Sequence, residues 1–142
     1  MADSTEPTPP PRALRAAVGV WLALAVFGLL ITAILWFTKD AVRRQLISGN
    51  YVAVDRADDL THSLLIQNTI ASVFFGASYA GLAVLLWKGR SWARVLLTVV
   101  AGLHFFVMLI NGVSVPNFLV AALIILGVAL TWRGSTRRWL AQ

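Results

Sequence analysis

Residues 18–37, VGVWLALAVFGLLITAILWF, form an apolar run without a charged side chain. A membrane-spanning helix needs roughly 20 such residues, because each adds about 1.5 Å along the axis and the hydrocarbon core is about 30 Å thick. Trp21 and Trp36 lie near the two ends of the run, as amphipathic rings do at the two membrane interfaces. The run therefore predicts a transmembrane helix.

A cleaved signal peptide is the competing interpretation, since Arg12 and Arg15 precede the apolar run. Signal peptides carry an apolar region of about 7 to 15 residues that is followed by a small-x-small cleavage site. The run in this chain is longer and ends in Leu35, Trp36 and Phe37. We therefore expect the helix to be retained.

Three further runs, at 64–87, 92–110 and 116–132, are also long enough to cross a bilayer. Of the 142 residues, 58% are hydrophobic and only 13% are charged, whereas soluble domains carry about 25% charged residues. We predict an all-α polytopic membrane protein whose four transmembrane helices form a compact antiparallel bundle. Residues 38–63 form the predicted outer segment between the first two spans.

The N-terminal residues 1–12, MADSTEPTPPPR, contain all but one of the prolines and no apolar face. Such a segment cannot bury enough surface to offset the entropy lost on ordering. We predict a disordered cytoplasmic tail, with a proline-rich docking motif as the alternative. The transmembrane domain is expected over 13–142.

The 12 basic residues divide unequally between the two sides of a four-span protein. One side, with both termini and the turn at 88–91, holds most of them: Arg12, Arg15, Lys88, Arg90, Arg94, Arg133, Arg137 and Arg138. The other side holds Lys39, Arg43, Arg44 and Arg56. Because loops rich in Lys and Arg stay in the cytoplasm, we predict a plasma-membrane protein with both termini cytoplasmic. The basic residues from Lys88 to Arg138 are also expected to attract anionic lipid at about 1 kcal/mol each.

A net charge of +6 suggests nucleic-acid binding as one class of function. The basic residues fall instead at the ends of apolar runs, without an RNP, zinc-finger or helix-turn-helix pattern, so no nucleic-acid partner is expected. No Asp, Glu or Lys lies inside a predicted span, which disfavours an ion-driven carrier. Cysteine and recognisable catalytic motifs are also absent from the sequence. We expect no catalytic residues, no metal and no cofactor.

An acidic group at 55–59 with His62 is a conceivable metal cluster. Because Arg56 is interleaved, an exposed acidic helix start is the favoured interpretation.

His104 is the ionisable residue deepest in a predicted span, roughly 9 Å from the outer end. It is interpreted either as a haem or quinone ligand or, preferably, as a neutral imidazole bonded to a neighbouring helix. A haem held by two histidines is disfavoured, because His62 lies on the order of 10 Å away along the axis. Asn111 follows on the same helix face, and Gln67 and Asn68 lie at the outer level of the second span. We predict a polar cluster of these four residues, with a polar substrate pocket as the alternative.

Small residues recur at four-residue spacing on the second span, and such patterns let membrane helices approach closely. The predicted packing positions are Ser72, Gly76 and Ala80, with Ala77 and Gly81 on a neighbouring strip. They indicate that this helix packs against protein.

The outer segment contains a short amphipathic pattern, which predicts that the first helix continues to about Ile47. A second short helix is expected over 55–60. The candidate docking residues are Val42, Arg43, Arg44 and Leu46. A docking surface and a solvated connector are both open interpretations.

Four segments resemble those of small four-helix integral membrane proteins of actinobacteria, whose function is uncharacterised: PPRALRAAVGVWLA (10–23), KDAVRRQL (39–46), GRSWARVLL (89–97) and TWRGSTRRWL (131–140). These segments mark membrane boundaries. The resemblance implies a four-helix architecture and a plasma-membrane setting, but no reaction.

Two functions follow as hypotheses. The first is a noncatalytic accessory or stabilising subunit of a larger membrane complex, such as a lipid-import or respiratory assembly. The second is a self-associating small transporter or lipid-handling protein, with a pocket near His104, Asn111 and Gln67.

Overall fold

The computed structural model describes residues 8–112 and 114–142, which form helices and turns without a strand. The helices are α1 (Arg12–Phe37), α2 (Lys39–Ser48), α3 (Ala57–Trp87), α4 (Trp92–Asn111), α5 (Val115–Thr131) and α6 (Gly134–Leu140), and a 3-10 turn over Val54–Arg56 precedes α3. The all-α prediction is confirmed for the described residues. Most of the predicted disordered tail, residues 1–7, lies outside them.

Three helical stretches are long and apolar enough to cross a membrane: Arg12–Phe37, Val54–Trp87 and Trp92–Asn111. A fourth span is obtained when α5 and α6, which meet at a bend of 56°, are counted together. The prediction of a helix bundle with membrane-spanning segments is supported at this level, with three or four spans.

The segment after α1 differs from the sequence prediction. Instead of one helix that continues to about Ile47, α1 ends at Phe37 and α2 begins at Lys39. Thr38 lies outside helical geometry, with φ −107° and ψ 22°, and its hydroxyl donates to the Ile34 carbonyl at 2.8 Å. The backbone N–H of Thr38 donates to the same carbonyl at 2.9 Å, so the helical hydrogen bond is retained and the break lies in the dihedral angles of this one residue. The short helix expected over 55–60 is not a separate element, because residues 55 and 56 belong to the 3-10 turn and residues 57–60 form the first turn of α3.

Two glycines make the short turns between the long helices. Gly89, after α3, has φ +80°, and Gly112, after α4, has φ +90°. Residues with a side chain rarely adopt these angles. Pro116 then lies in the first turn of α5, where its missing N–H costs no intrahelical hydrogen bond.

The four long helices form a ring in which α1 packs against α3 and α5, and α4 packs against the same two. Helix α2 packs on α3 at one end of the bundle, called here the α2 end. The opposite end, called the turn end, holds the turn at 88–91 and α6. The tightest packing lies toward the turn end, where Leu14, Leu86 and Leu97 are fully buried.

Gly127 on α5 makes room for the Trp21 ring of α1. A Cβ at this position would lie 2.9 Å from Cζ2 of Trp21, a ring that is itself fully buried. We predict that Gly127→Ala lowers the free energy of unfolding by about 1 to 3 kcal/mol, because the rigid indole must be displaced. Chemical denaturation in detergent micelles, followed by circular dichroism, measures the change.

Gly102→Ala on α4 is the matched control, because nothing lies within 4 Å of its added Cβ. This change should be neutral or slightly stabilising, since alanine favours the helix more than glycine does. Equal effects of the two substitutions contradict the close packing of Trp21 on α5.

Candidate functional site

A cavity of about 540 Å³ lies between the four long helices, in the half of the bundle nearer the α2 end. Its wall is mostly apolar, with Phe27 and Ile31 from α1 and Val120 from α5 among the lining side chains. Val42 of α2 also lines it. Of the described residues that line the cavity, none carries a formal charge.

Polar side chains line the cavity chiefly at two levels, with Ser72 between them. The floor of the cavity is defined here as Tyr79 and His104, which lie nearest the middle of the bundle. The rim is defined as the four amide side chains near the α2 end: Gln67, Asn68, Asn111 and Asn117. A molecule in the cavity therefore meets polar groups at both ends of an apolar wall.

The floor is a hydrogen-bonded pair held by aromatic packing. The Tyr79 hydroxyl lies 2.9 Å from Nδ1 of His104. The His104 ring stacks on Phe75, with centroids 4.2 Å apart and planes inclined by 12°. Phe75 and Tyr79 are four residues apart on α3 and so share one face of the helix. Helices α3 and α4 are thereby joined in the middle of the bundle.

The same aromatic packing extends to the other two long helices. The Tyr79 ring stacks on Trp21 of α1 with centroids 5.1 Å apart. Trp21 Nε1 donates to Thr131 Oγ1 of α5 at 3.1 Å, and the Thr131 hydroxyl donates to the Gly127 carbonyl at 2.7 Å. A continuous set of contacts therefore links all four helices and fixes the position of the floor.

The four predicted cluster residues all line this cavity, but they do not bond to one another within the described residues. Asn111 Nδ2 donates to the Val107 carbonyl at 2.9 Å, and Asn68 Nδ2 donates to Thr32 Oγ1 at 2.9 Å. The Thr32 hydroxyl in turn donates to Ser72 at 2.6 Å. The polar pocket, considered from sequence as the alternative, is closer to this arrangement than a mutually bonded cluster.

The predicted packing positions on α3 divide into two faces. Gly76 is buried against α1, where an added Cβ would lie 3.7 Å from the Ala25 carbonyl oxygen, and Ala80 is half-buried. Ser72 faces the same neighbour, as its hydrogen bond to Thr32 shows. Ala77 and Gly81, by contrast, are exposed on the outside of the bundle.

The predicted docking residues on α2 have different environments. Arg43 forms a salt bridge with Asp58 at the start of α3, and Arg44 is exposed. Val42 and Leu46 are half-buried, Val42 at the cavity. The predicted surface is thus partly engaged with the bundle itself. Within the described residues, no group of three His, Asp or Glu side chains could hold a metal ion.

The basic residues at the turn end are mostly exposed: Lys88, Arg90, Arg133, Arg137 and Arg138. Arg94 is the exception, because its guanidinium lies 4.7 Å from the centroid of the Trp132 ring. Trp132 Nε1 donates to Thr98 Oγ1 at 2.8 Å, which holds α5 against α4. Arg94 therefore packs on an aromatic ring as well as contributing charge.

Sequence reasoning missed the partners of His104. Tyr79 and His104 lie on either side of the turn at 88–91, at 9 residues before Lys88 and 13 after Ser91. A tight hairpin brings such positions to neighbouring depths. The turn and the aromatic pair at 75 and 79 were therefore the available signals.

No protein-family model, curated protein or solved structure matches the chain. The fold and the cavity define a class on their own: a small helical-bundle protein with helices long and apolar enough to cross a membrane and a mostly apolar, partly open cavity between them.

Proposed function

We propose that this chain is a noncatalytic, lipid-handling membrane protein that binds one apolar molecule in the cavity. The observation that carries the proposal is the cavity itself, whose apolar wall ends in polar groups at the floor and the rim. Small-molecule sites are typically cavities of about 300 to 1,000 Å³ with mostly apolar linings and a few convergent polar groups. A volume of about 540 Å³ lies within that range.

Native mass spectrometry tests this function. The purified full chain is incubated in nonionic detergent with methyl palmitate, an uncharged apolar ester. We expect one bound molecule per chain, with binding that saturates. Nonsaturating uptake of several molecules, as on any lipid-facing surface, contradicts the proposal.

We further propose an antiparallel bundle of four spans in the plasma membrane, with both termini cytoplasmic. The pairs Trp36–Thr69 and Tyr79–His104 support it, because they join neighbouring helices at matching depths. The excess of basic residues at the turn end supports a cytoplasmic location of that end.

Because the chain contains no cysteine, single cysteines report sidedness without background. In intact cells, Asn50→Cys at the α2 end should react with a membrane-impermeant maleimide, whereas Gln142→Cys should react only after lysis. The reverse pattern contradicts the proposed orientation. Reaction of both sites in intact cells contradicts the even number of spans.

An accessory subunit of a larger lipid-import or respiratory complex is the second candidate. It is supported by the outward strip of Ala77 and Gly81, beside which another helix could pack closely. Purification in gentle detergent should then recover stoichiometric partners, and Gly81→Leu should release them. Recovery of monomer or homodimer alone contradicts this candidate. Membership in the actinobacterial four-helix group stays a prediction.

A further inference from the structure

We infer that the molecule bound in the cavity carries an uncharged carbonyl group and that this group accepts a hydrogen bond from Nε2 of His104. The inference rests on the proposed function, because it specifies which chemical class of apolar molecule the cavity takes. It follows from the hydrogen bonding of the floor, the charge of the lining and the spacing between floor and rim.

The neutral ring of His104 carries its proton on one of two nitrogens, and the contact with Tyr79 decides which. Nδ1 faces the Tyr79 hydroxyl at 2.9 Å, and Tyr79 is only 1% exposed. If Nδ1 carried the proton, the Tyr79 oxygen would accept it, and the phenolic proton would have no acceptor among the described residues. A buried donor without a partner is costly. The Tyr79 hydroxyl therefore donates to Nδ1, and the proton of the neutral ring is on Nε2.

The surroundings of Nε2 determine what this nitrogen can bind. Within residues 8–112 and 114–142, Nε2 has no hydrogen-bond partner, yet it is not among the enclosed side-chain atoms that lack one. The atom is therefore accessible, on a side chain that lines the cavity. A molecule that displaces water from this donor must supply an acceptor, because a donor left without a partner is costly.

The charge of the cavity lining restricts the ligand. The described lining has no formally charged side chain that could pair with an ionised ligand. Transfer of an unpaired charge into an apolar interior is strongly unfavourable. A carboxylate, a phosphate or an ammonium group at the floor is therefore disfavoured, whereas an ester, amide or quinone carbonyl meets the requirement.

The distance between floor and rim restricts the shape of the ligand. His104 at the floor and Asn111 at the rim are seven residues apart on α4, which corresponds to about 10 Å along the helix axis. Apolar side chains such as Val107 and Met108 line the space between them. A carbonyl at the floor thus has room to continue into an apolar body of about that length within the cavity. Acyl esters and alkyl-substituted quinones both have this form.

A matched pair of probes isolates the carbonyl. Methyl palmitate and hexadecyl methyl ether have the same chain length and differ by the carbonyl oxygen. We expect the full chain to bind the ester about five- to tenfold more tightly, the ratio for one hydrogen bond. In His104→Phe, which keeps a ring to stack on Phe75, the ester and the ether should bind equally. A decyl-substituted benzoquinone in competition with methyl palmitate then distinguishes the two sources of the carbonyl.

A second measurement leaves the floor intact. With ¹⁵N-labelled histidine and His62→Gln, the single remaining ring reports its tautomer by NMR. We expect a protonated Nε2 whose resonance shifts when the ester binds but not when the ether binds. In Tyr79→Phe, which removes the donor to Nδ1, the ring should become a mixture of tautomers.

The outcomes separate the inference from the proposed function. Saturable and equal binding of ester and ether to the unmodified chain overturns the carbonyl inference and leaves the proposed function standing. A protonated Nδ1 also overturns it. Failure of all three probes to bind overturns the proposed function, and the inference with it.

Discussion

Replacement of Trp21 by alanine is expected to lower the free energy of unfolding by about 3 kcal/mol, the largest loss for any single side chain in the bundle. Trp21 is fully buried, stacks on Tyr79 and donates to Thr131, so its removal leaves a cavity and an acceptor without its partner. The value is at the lower end of the range for Trp→Ala, because helices that separate into lipid lose packing rather than shelter from water. Denaturant titration in micelles measures it.

Two controls divide this effect into its parts. Trp21→Phe keeps an aromatic ring against Tyr79 and loses the hydrogen bond, so it should cost only about 1 kcal/mol. Trp87→Ala removes a ring that is 45% exposed and should change stability by less than about 0.5 kcal/mol. If Trp21→Ala and Trp87→Ala lower the free energy of unfolding by similar amounts, Trp21 is not buried in the core of the bundle.

Substitution of Gly28 by phenylalanine is expected to weaken methyl palmitate binding by at least about tenfold, which corresponds to about 1.4 kcal/mol. Gly28 lines the cavity, and nothing lies within 4 Å of a Cβ added there. The new ring can therefore enter the cavity without displacing a packed neighbour. Native mass spectrometry under the conditions used for the unmodified chain measures the loss.

Gly19→Phe is the matched control. Gly19 belongs to the same helix and also has free space around an added Cβ, but it is exposed and does not line the cavity. Both variants should retain the helical content and unfolding midpoint of the unmodified chain. If the two variants bind methyl palmitate equally well, the ligand lies elsewhere.

The number and approximate limits of the long helices follow from composition, because a chain in lipid must satisfy its backbone hydrogen bonds internally. Glycine and proline marked the turns at 88–91 and near Pro116, because glycine adopts a positive φ and proline lacks an N–H. The break at Thr38 was missed, since it lies in the backbone angles of one residue and no glycine or proline marks it. A change at a single residue has no signature in hydrophobicity.

Four polar residues of the site were identified from sequence, whereas Tyr79, Asn117 and the hydrogen-bond partners were not. Pairing depends on how each helix is rotated about its own axis, and an apolar pattern reveals rotation only when one face is polar. Leu30 and Phe106, on outward faces, are as apolar as Phe75 and Leu97 in the core. For this reason the bond from Asn68 to Thr32 and the contact between Tyr79 and His104 required the three-dimensional structure.

In the basic stretch at the turn end, too, a contact between distant residues could not be predicted from the sequence. Its position after an apolar run indicated a membrane boundary, and Lys88 and Arg90 are indeed exposed. The packing of Arg94 on Trp132 joins two residues that are 38 positions apart, and charge patterning alone does not predict such a pair.

Photolabelling tests the central claim, that the bundle holds its apolar ligand internally, most directly. A methyl palmitate analogue with a diazirine in its acyl chain is bound to the full chain, irradiated, and located by peptide mass spectrometry. We predict adducts on lining residues such as Phe27, Ile31 or Met108, which excess methyl palmitate and Gly28→Phe both suppress. Adducts confined to outward residues such as Leu29, Leu30 and Phe106, and insensitive to the competitor, would contradict the account.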